Sequence, residues 1–365
     1  MRVNTVKLNR FRSYASLVLK AEPGLNVLTG ANGAGKTNIL EALFLCAFGR
    51  SHRTPRDQEL IRLGSEQGMA EISLMTNAGS RVIRAELCAT DRKKLFIDGS
   101  PLARSGELMG CLNAVMFSPE DLTLVKGAPA ERRRFLDMEI SQLKPSYYYA
   151  LQQYNTALKQ RNNLLKDPSA AGNEMLELWD EQLSKQGALI MRERAAFCRE
   201  LREAAGTLHN IMSGGEETLI TEYEPDVICE NEDDYRAAIA EALIAAIDKD
   251  LFRGYTSAGP HRDDLKLTVN GLDARVYASQ GQQRTAALSL KLSEIAVIEQ
   301  LRGEKPVLLL DDVFSELDAT RQRLLLTAVE GCQCFITCTG VEELGPMEDR
   351  QMQLFSVRDG AVMEL

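Results

Sequence analysis

The strongest chemical signal in this 365-residue chain is a glycine-rich segment at 30–37, GANGAGKT. It matches the pattern GxxxxGK[ST] and lies between a strand-like run, LNVLT, and an apolar-periodic helix predicted over 36–48. Such glycines let backbone N–H groups surround phosphate at a helix N-terminus, while Lys36 reaches the β- and γ-phosphates and Thr37 can bind Mg²⁺. We therefore predict an ATP site. Its expected phosphate cradle comprises Gly30, Ala31, Asn32, Gly33, Ala34, Gly35, Lys36 and Thr37.

A second acidic segment, PVLLLDD at 306–312, has the pattern of a buried parallel strand that ends in two carboxylates. We expect Asp311 to face Mg²⁺ through water and Asp312 to orient or activate the attacking water, so that both join Lys36 as catalytic residues. Asp311 follows Lys36 by 275 residues, which is too far for a compact GTPase-like domain. The spacing predicts a P-loop core that is split by an insertion.

Split P-loop cores of this kind occur in the ABC and SMC class of ATPases, and two further motifs of that class can be found. YASQGQQR at 277–284 resembles its signature turn, with Ser279 as the N-cap of a helix over 282–300 and Gly281 allowing close approach to phosphate. FSELD at 314–318 resembles the loop after the acidic strand, and Asp318 can cap the next helix. In this class the signature turn of one subunit completes the ATP site of another, which implies an ATP-dependent homodimer.

The surrounding pattern predicts an α/β fold: an ABC/SMC-type ATPase head, with a split P-loop core and an antiparallel β subdomain, plus a helical insertion domain. Short strands and the turns Asp98-Gly99 and Asn270-Gly271 indicate the sheets. Long helical stretches over 146–166, 173–212 and 233–250 indicate the insertion. We expect residues 1–125 to form the N-terminal part of the head, 126–252 the helical arm, and 253–365 the C-terminal part of the head.

Composition places the chain among folded proteins of the cytoplasm. The N-terminus has no signal-peptide pattern, no apolar run is long enough to span a membrane, and eight scattered cysteines indicate a reducing compartment. The formal charge of −9 means that any binding of nucleic acid needs a local basic patch. Cys332, Cys334 and Cys338 alternate as in a buried strand, which we favour over a metal site.

These motifs, in their order along the whole chain, closely resemble the RecF recombinational-repair family, small SMC-like ATPases without the long coiled coil. The resemblance rests on LNRFRSY, GANGAGKTNILEA, GRSHRTPRDQELI, SPEDLTLVKGAPAERRRFLD, GPHRDD, SQGQQRT and LLLDDVFSELD. It implies that Arg12, Asn38 and Gln282 belong to the ATP site. It also implies binding to double-stranded DNA and to single-strand/double-strand gap junctions, with slow DNA-stimulated ATP hydrolysis. The implied partners are RecR, with RecO, in the loading of RecA during gap repair and the SOS response.

Departures from the wider ABC pattern bear on the mechanism. Asp312 stands where most such ATPases have Glu, and the γ-phosphate-sensing His is absent near 334–339, where only Thr337 or Thr339 could substitute. No Gln occurs at 116–122, so Glu120 is the candidate for the glutamine loop. These features predict slow hydrolysis, as in a switch.

DNA contacts are predicted in the basic loop after the P-loop helix, at Arg50, His52, Arg53 and Arg56. A solvated loop is the alternative for that segment. Two other functions remain open: a non-hydrolysing ATP-gated scaffold, which the short second acid also suits, and a nucleotide-binding subunit of a transporter. The long insertion and the missing glutamine disfavour the transporter subunit.

Overall fold

The computed structural model describes residues 1–166, 174–342 and 352–365. Asp167-Pro168, a loop signal between the first two predicted helical stretches, lies outside these ranges. The described chain divides into two compact units, of which unit 1 comprises Met1–Asp121 with Lys291–Leu365 and unit 2 comprises Leu122–Leu290.

The strands follow one another as β1 (Arg2–Phe11), β2 (Tyr14–Lys20), β3 (Leu25–Thr29), β4 (Gln67–Thr76), β5 (Gly79–Cys88), β6 (Lys94–Ile97), β7 (Ser100–Pro101), β8 (Ala114–Phe117), β9 (Leu219–Glu224), β10 (Asp264–Val269), β11 (Leu272–Asp273), β12 (Val307–Asp311), β13 (Cys334–Cys338), β14 (Met352–Arg358) and β15 (Ala361–Glu364). The helices are α1 (Lys36–Phe48), α2 (Thr123–Lys126), α3 (Pro129–Leu143), α4 (Pro145–Leu164), α5 (Glu174–Met212), α6 (Tyr235–Ala245), α7 (Ile247–Arg253), α8 (Ala274–Tyr277), α9 (Gln280–Arg302) and α10 (Ala319–Ala328).

Unit 1 contains two six-stranded sheets. One is antiparallel, in the order β2-β1-β4-β5-β6-β7, and the other has the order β15-β14-β3-β13-β12-β8. In the second sheet all neighbours are parallel except the edge pair β14 and β15. Its strands β3, β12 and β13 are rich in apolar residues and buried along nearly their whole length, as expected for a parallel sheet covered on both faces. The carboxyl ends of these three strands therefore meet at one edge of the sheet.

Helix α1 contacts strands of both sheets. This explains why Ile39 to Phe48 is buried on every side and has little amphipathic character. Gly49 ends the helix in the left-handed conformation, with φ +67°, and its N–H donates to Leu45 O at 2.8 Å. The predicted helix over 36–48 is confirmed.

Unit 2 is mainly helical and also carries a three-stranded antiparallel sheet, β11-β10-β9. Helix α5 has 39 residues, about 58 Å at 1.5 Å per residue, and packs along α4. Along α5 the side chains of Leu183, Ile190, Phe197 and Leu201 are buried, whereas Leu208 is half-buried.

One local prediction in unit 2 needs correction. The stretch 233–250 is not one helix, because α6 ends at Ala245 and a new helix begins at Ile247. The second arm of the Asn270-Gly271 hairpin is a strand of only two residues, after which the Asp273 side chain accepts the N–H groups of Arg275 and Val276 and begins α8. The turn itself is confirmed, since Asn270 and Gly271 have φ +51° and +78°.

Residues 253–290, which the sequence analysis assigns to the C-terminal part of the head, lie in unit 2. The chain returns to unit 1 within α9, at Lys291. The three-part domain division therefore stays a prediction.

Candidate nucleotide-binding and ATPase site

The loop between β3 and α1 has a backbone that only glycine fits at two points. Gly30 has φ +152°, and a Cβ there would lie 2.3 Å from the Val357 carbonyl oxygen of β14. Gly35 has φ +113°, and its Cβ would lie 2.7 Å from Ser13 Oγ. Both positions combine a conformation that disfavours side chains with a close approach of other atoms. The glycine spacing of the motif is thus explained by the packing of the loop.

Lys36 is almost fully buried and folds back over this loop. Its Nζ donates to Gly30 O at 2.6 Å and to Ala31 O at 3.2 Å. The Tyr14 hydroxyl donates to Gly35 O at 3.0 Å from the adjacent strand β2, and burial raises the pKa of Tyr14. The ammonium group therefore lies at the N-terminus of α1, beside the N–H groups that can receive phosphate.

Two carboxylates and two hydroxyls meet at the edge of the parallel sheet. The Thr37 hydroxyl donates to Asp311 Oδ1 at 2.8 Å, and the Thr337 hydroxyl donates to the same oxygen at 2.8 Å. Asp312 follows with φ +49°, and its N–H donates to Thr337 Oγ1 at 2.9 Å. The structure thus brings together Thr37, Asp311 and Asp312, which the sequence had selected, and adds Thr337. Thr337 interacts with the acidic pair, which is a different role from the phosphate-sensing one considered for it.

Arg12, which the family resemblance assigns to the ATP site, forms a bidentate ion pair with Glu41 of α1. Its Nε and Nη2 donate to the two carboxylate oxygens at 2.8 and 2.7 Å, and Ser51 Oγ donates to Glu41 at 2.6 Å. Burial alone would raise the pKa of Glu41, but the hydrogen bonds from Arg12 and Ser51 outweigh it and hold that pKa below the usual value. We did not select Glu41 from the sequence, although a lone Glu inside an apolar helix was its signal.

Asn38 connects the start of α1 to its surroundings. Its Nδ2 donates to Ser13 Oγ at 3.0 Å, and its Oδ1 accepts from Arg53 at 3.4 Å. Asn38 thus fixes the β1–β2 turn against the first turn of the helix that follows the P-loop.

The loop predicted to contact DNA is less basic than its sequence indicates. The His52 ring packs on Phe44 with 5.1 Å between ring centroids, and burial lowers the pKa of His52, which favours the neutral ring. Arg53 lies 3.8 Å from Glu41, and Arg56 lies 3.7 Å from Glu59. Arg50, Arg53 and Arg56 are exposed. The expected set of four cations is therefore reduced to three arginines.

The candidate for the glutamine loop lies after β8, in a short 3₁₀ turn over Pro119–Leu122. Glu120 is exposed there. The neighbouring Asp121 accepts the N–H of Ser118 at 2.9 Å, and burial raises the pKa of Asp121 to about 6 despite the opposing effect of Lys291. Because β8 pairs in parallel with β12, this turn follows the same edge of the sheet as Asp311.

In unit 2 the signature turn begins α9 with a reciprocal cap. Gln282 N–H donates to Ser279 Oγ at 3.2 Å, and Ser279 N–H donates to the Gln282 side chain at 2.8 Å. The N-cap prediction for Ser279 is confirmed, although α9 begins two residues earlier than expected. Ser279 and Gly281 are exposed, and so are the apolar side chains of Val276 and Tyr277, at 65% and 67%.

Asp318 of unit 1 caps the next helix, as expected. Its side chain accepts the N–H groups of Thr320 at 3.1 Å and Arg321 at 2.9 Å and pairs with the Arg321 guanidinium. The N–H bond from Arg321 is the main cause that lowers the pKa of Asp318.

The GPHRDD segment forms a structural hub of unit 2. Asp264 receives both Nε and Nη2 of Arg132 at 2.7 Å, and Asp263 receives Arg194 at 2.8 Å. His261 Nδ1 lies 2.7 Å from the Tyr154 hydroxyl and its Nε2 lies 3.1 Å from Thr256 O, so that both ring nitrogens have structural partners. These contacts join α3, α4 and α5 to the start of β10.

The cysteine-rich segment is the buried strand β13, as predicted. All eight cysteines lie in the described ranges, and no disulfide joins them. Within those ranges no cluster of three His, Cys, Asp or Glu side chains suitable for a metal was found.

The family model for the RecF/RecN/SMC N-terminal domain matches residues 2–362. The chain belongs to the RecF family. The DNA replication and repair protein RecF of Halothermothrix orenii is 44% identical over 371 residues, covering 99% of this chain and 98% of that protein. RecF of Lachnoclostridium phytofermentans is 43% identical over 364 residues, covering 99% of both chains.

Solved structures agree with this assignment. The recombination mediator protein RecF with ATP, of the RecFOR pathway, matches with a TM-score of 0.92 and 35% identity, covering 100% of this chain and 97% of that one. The Smc head of Pyrococcus yayanosii matches with a TM-score of 0.58 and 14% identity, over 100% of this chain and 96% of that one, and shows the fold alone. The fold is therefore an ABC/SMC-type ATPase head of the RecF family. Among the described helices, none combines the length and apolar character needed to cross a bilayer.

Proposed function

We propose that this protein is an ATP-dependent DNA-binding protein of recombinational repair and replication, with a slow DNA-stimulated ATPase that acts as a switch. The observation that carries this proposal is the 2.8 Å contact between Thr37 at the start of α1 and Asp311 at the end of β12. It supports one nucleotide site made from two segments that lie far apart in sequence. Membership of the RecF family supports the biological context.

The donor set around Thr37 suits Mg²⁺, a hard cation that prefers oxygen ligands. The Thr37 hydroxyl and an Asp311 oxygen lie 2.8 Å apart, close enough for both to hold one Mg²⁺, with Asp311 acting directly or through water. When bound with ATP, the ion would neutralise charge on the β- and γ-phosphate oxygens.

Each residue of the proposed site would have a separate role. Lys36 would exchange its contacts with Gly30 and Ala31 for phosphate oxygens, while the loop N–H groups hold the rest of the triphosphate. Asp312 would accept a proton from the attacking water. Its carboxylate is one methylene shorter than the Glu of most related ATPases, which favours slow turnover. Arg12 and Asn38 would fix the β1–β2 turn and α1 beside the nucleotide.

The site would be completed by a second copy of the chain. Ser279, Gly281 and Gln282 lie at a helix N-terminus where Ser279 and Gly281 are exposed, which suits a γ-phosphate bound by a partner. Asp318 would lie in the partner-facing loop after the acidic strand. We therefore propose an ATP-dependent homodimer as the form that binds DNA.

The proposed ligands are double-stranded DNA and single-strand/double-strand gap junctions, contacted by Arg50, Arg53 and Arg56, with His52 as a neutral neighbour. The proposed partners are RecR, with RecO, in the loading of RecA during gap repair and the SOS response. These reactions would take place in the cytoplasm, where the absence of disulfides among the eight cysteines is expected.

Phosphate release from ATP tests the proposal when it is measured without DNA and with increasing gapped duplex. We expect slow release that rises with the duplex, together with gapped-DNA binding that requires ATP. The Lys36→Met protein serves as the blank for contaminating ATPase. ATP-dependent DNA binding without any release would instead favour the non-hydrolysing scaffold, and DNA binding that ignores ATP would overturn the switch.

A further inference from the structure

Thr337 places a single hydroxyl between the two carboxylates of the acidic strand end. Its side chain is fully buried on β13, the strand between β12 and β3. In the parallel register Thr337 pairs with Asp311 on one side and with Leu28 on the other. It therefore lies directly beside the strand ends that carry the acidic pair and the P-loop.

The hydroxyl uses both of its hydrogen-bonding functions on this pair. A threonine hydroxyl has one proton to donate and lone pairs to accept with. The proton goes to Asp311 Oδ1 at 2.8 Å, and a lone pair accepts the Asp312 N–H at 2.9 Å. The 3.5 Å distance to Asp312 Oδ1 is too long to compete for the proton. One side chain thus fixes Asp311 through its carboxylate and Asp312 through its backbone.

The backbone of Asp312 makes the second contact important. Asp312 has φ +49°, a left-handed conformation that residues other than glycine seldom adopt. Such conformations persist where surrounding contacts hold them, and they occur often at functional sites. The bond from Asp312 N–H to Thr337 holds the residue in the conformation that sets the direction of its carboxylate.

From these contacts we infer that Thr337 is a positioning residue for ATP hydrolysis, which aims Asp312 at the attacking water while it keeps Asp311 in place. This inference rests on the proposed ATPase function. Asp311 also accepts from Thr37, so that it keeps one hydroxyl partner when the Thr337 hydroxyl is removed. Loss of that hydroxyl therefore affects turnover much more than nucleotide binding.

The test compares Thr337→Val, which removes the hydroxyl at nearly constant volume, with Thr337→Ser, which keeps it. We expect kcat to fall roughly tenfold in the valine variant, as for loss of a hydrogen bond in a charged site, and to stay within about threefold in the serine variant. Affinity for a fluorescent non-hydrolysable ATP analogue, measured by titration without turnover, stays within about threefold in both.

Thr221→Val is the matched control. Thr221 is a buried threonine of β9 in unit 2, and its hydroxyl has no hydrogen-bond partner within the described part of the chain. Replacing the hydroxyl of Thr221 by a methyl group leaves kcat unchanged. In the double variant Thr337→Val with Asp312→Asn, kcat is no lower than with Asp312→Asn alone, because Thr337 acts through Asp312.

The inference would be overturned by a valine variant with the kcat of the unmodified protein, by a serine variant as slow as the valine one, or by losses in the valine and asparagine variants that multiply in the double variant. A valine variant that loses analogue affinity and thermal stability together with kcat would show a general structural role and would also overturn it. Failure of the proposed function is seen separately, as an unmodified protein that releases no phosphate.

Discussion

At the scale of single residues, the proposed phosphate site depends on a lysine that is held by its own loop. Lys36 Nζ donates to two carbonyl groups, which it would exchange for phosphate oxygens on binding ATP. The cradle around it comes from backbone N–H groups, which a side-chain substitution leaves in place. Binding of ATP and integrity of the fold can therefore be separated at this residue.

We predict that Lys36→Met weakens ATP binding roughly 100-fold, because each charge-assisted hydrogen bond to phosphate contributes about 1.5–3 kcal/mol. The rise in melting temperature on addition of Mg·ATP should disappear, while the melting temperature without nucleotide stays near that of the unmodified protein. Unchanged ATP affinity in this variant would contradict the P-loop assignment.

The Arg12–Glu41 pair predicts a stability effect that depends on pH. Glu41→Gln leaves Arg12 without its charge partner, and breaking a buried pair costs about 3–5 kcal/mol; since Arg12 is 20% exposed, we expect the lower end of this range. Folding lowers the pKa of Glu41 from its usual value of 4.5. The stabilisation by the charged pair is therefore fully present above pH 4.5, and it is lost as the pH falls through the lower pKa that Glu41 has in the folded protein.

Urea denaturation of both proteins at pH 7 and at several values below pH 4.5 measures this effect. The difference in unfolding free energy should narrow on acidification. The control is Glu59→Gln, whose partner Arg56 is 3.7 Å away in a pair that is 79% and 47% exposed; it should change stability by less than about 1 kcal/mol. A difference that is constant across the pH range would show that the charge of Glu41 is unimportant.

At the scale of elements, two helix N-termini carry the groups assigned to the nucleotide. The P-loop precedes α1, and the signature turn precedes α9, where Ser279 and Gln282 satisfy each other's N–H groups. The hub of Asp263 and Asp264 anchors the start of β10, from which the chain runs through β11 and α8 to that turn. Buried ion pairs of unit 2 thus support the segment that leads to the signature turn.

Ser279→Arg should abolish the ATP-dependent dimer while each chain still binds ATP, because a bulky side chain then occupies the surface for the partner's γ-phosphate. Sedimentation with and without ATP measures the dimer, and titration with a fluorescent ATP analogue measures binding. Asn210→Arg, at an exposed position of α5, adds the same side chain elsewhere and should leave the dimer intact. A persistent dimer in the Ser279 variant would refute the action of this turn on a partner's nucleotide.

At the scale of the whole molecule, the net charge of −9 opposes binding to DNA, and any affinity must come from local cations. Many arginines of the helical unit are already paired with acids, as Arg199 is with Glu232 and Arg194 is with Asp137. Arg53 and Arg56 also lie near acids, Glu41 and Glu59, but at 3.8 and 3.7 Å and with exposed guanidinium groups. Together with Arg50 they are the candidates for contact with phosphates.

We predict that Arg56→Ala weakens ATP-dependent binding to gapped duplex at every sequence tested and reduces the slope of log affinity against log salt by about 0.9, the value for one phosphate contact. Fluorescence anisotropy at several salt concentrations measures the slope. Arg199→Ala removes an arginine that is ion-paired in the helical unit and should leave the slope unchanged. Equal slopes for all three proteins would exclude Arg56 from the DNA contact.

Many local features of this protein could be predicted from the amino-acid sequence. The helix over 36–48, the Asn270-Gly271 turn and the cap at Ser279 depend on neighbours within a few residues, so that residue types alone predict them. The P-loop glycines were recognisable from their pattern, but the close approach of Val357 to Gly30 and of Ser13 to Gly35 comes from packing. The order of the motifs along the chain was enough to predict the family.

Only the tertiary structure decided which distant groups meet. The sequence contains the acids and hydroxyls, but the parallel order β3-β13-β12 places Thr337 against Asp311 and Asp312. The packing of α1 between two sheets buries Glu41 against Arg12. Burial also lowers the pKa of His52 and favours its neutral form, so that this residue of the predicted basic loop is not a cation. Strand order and burial arise from packing over the whole chain, and the charge state of a side chain follows from the neighbours that this packing supplies.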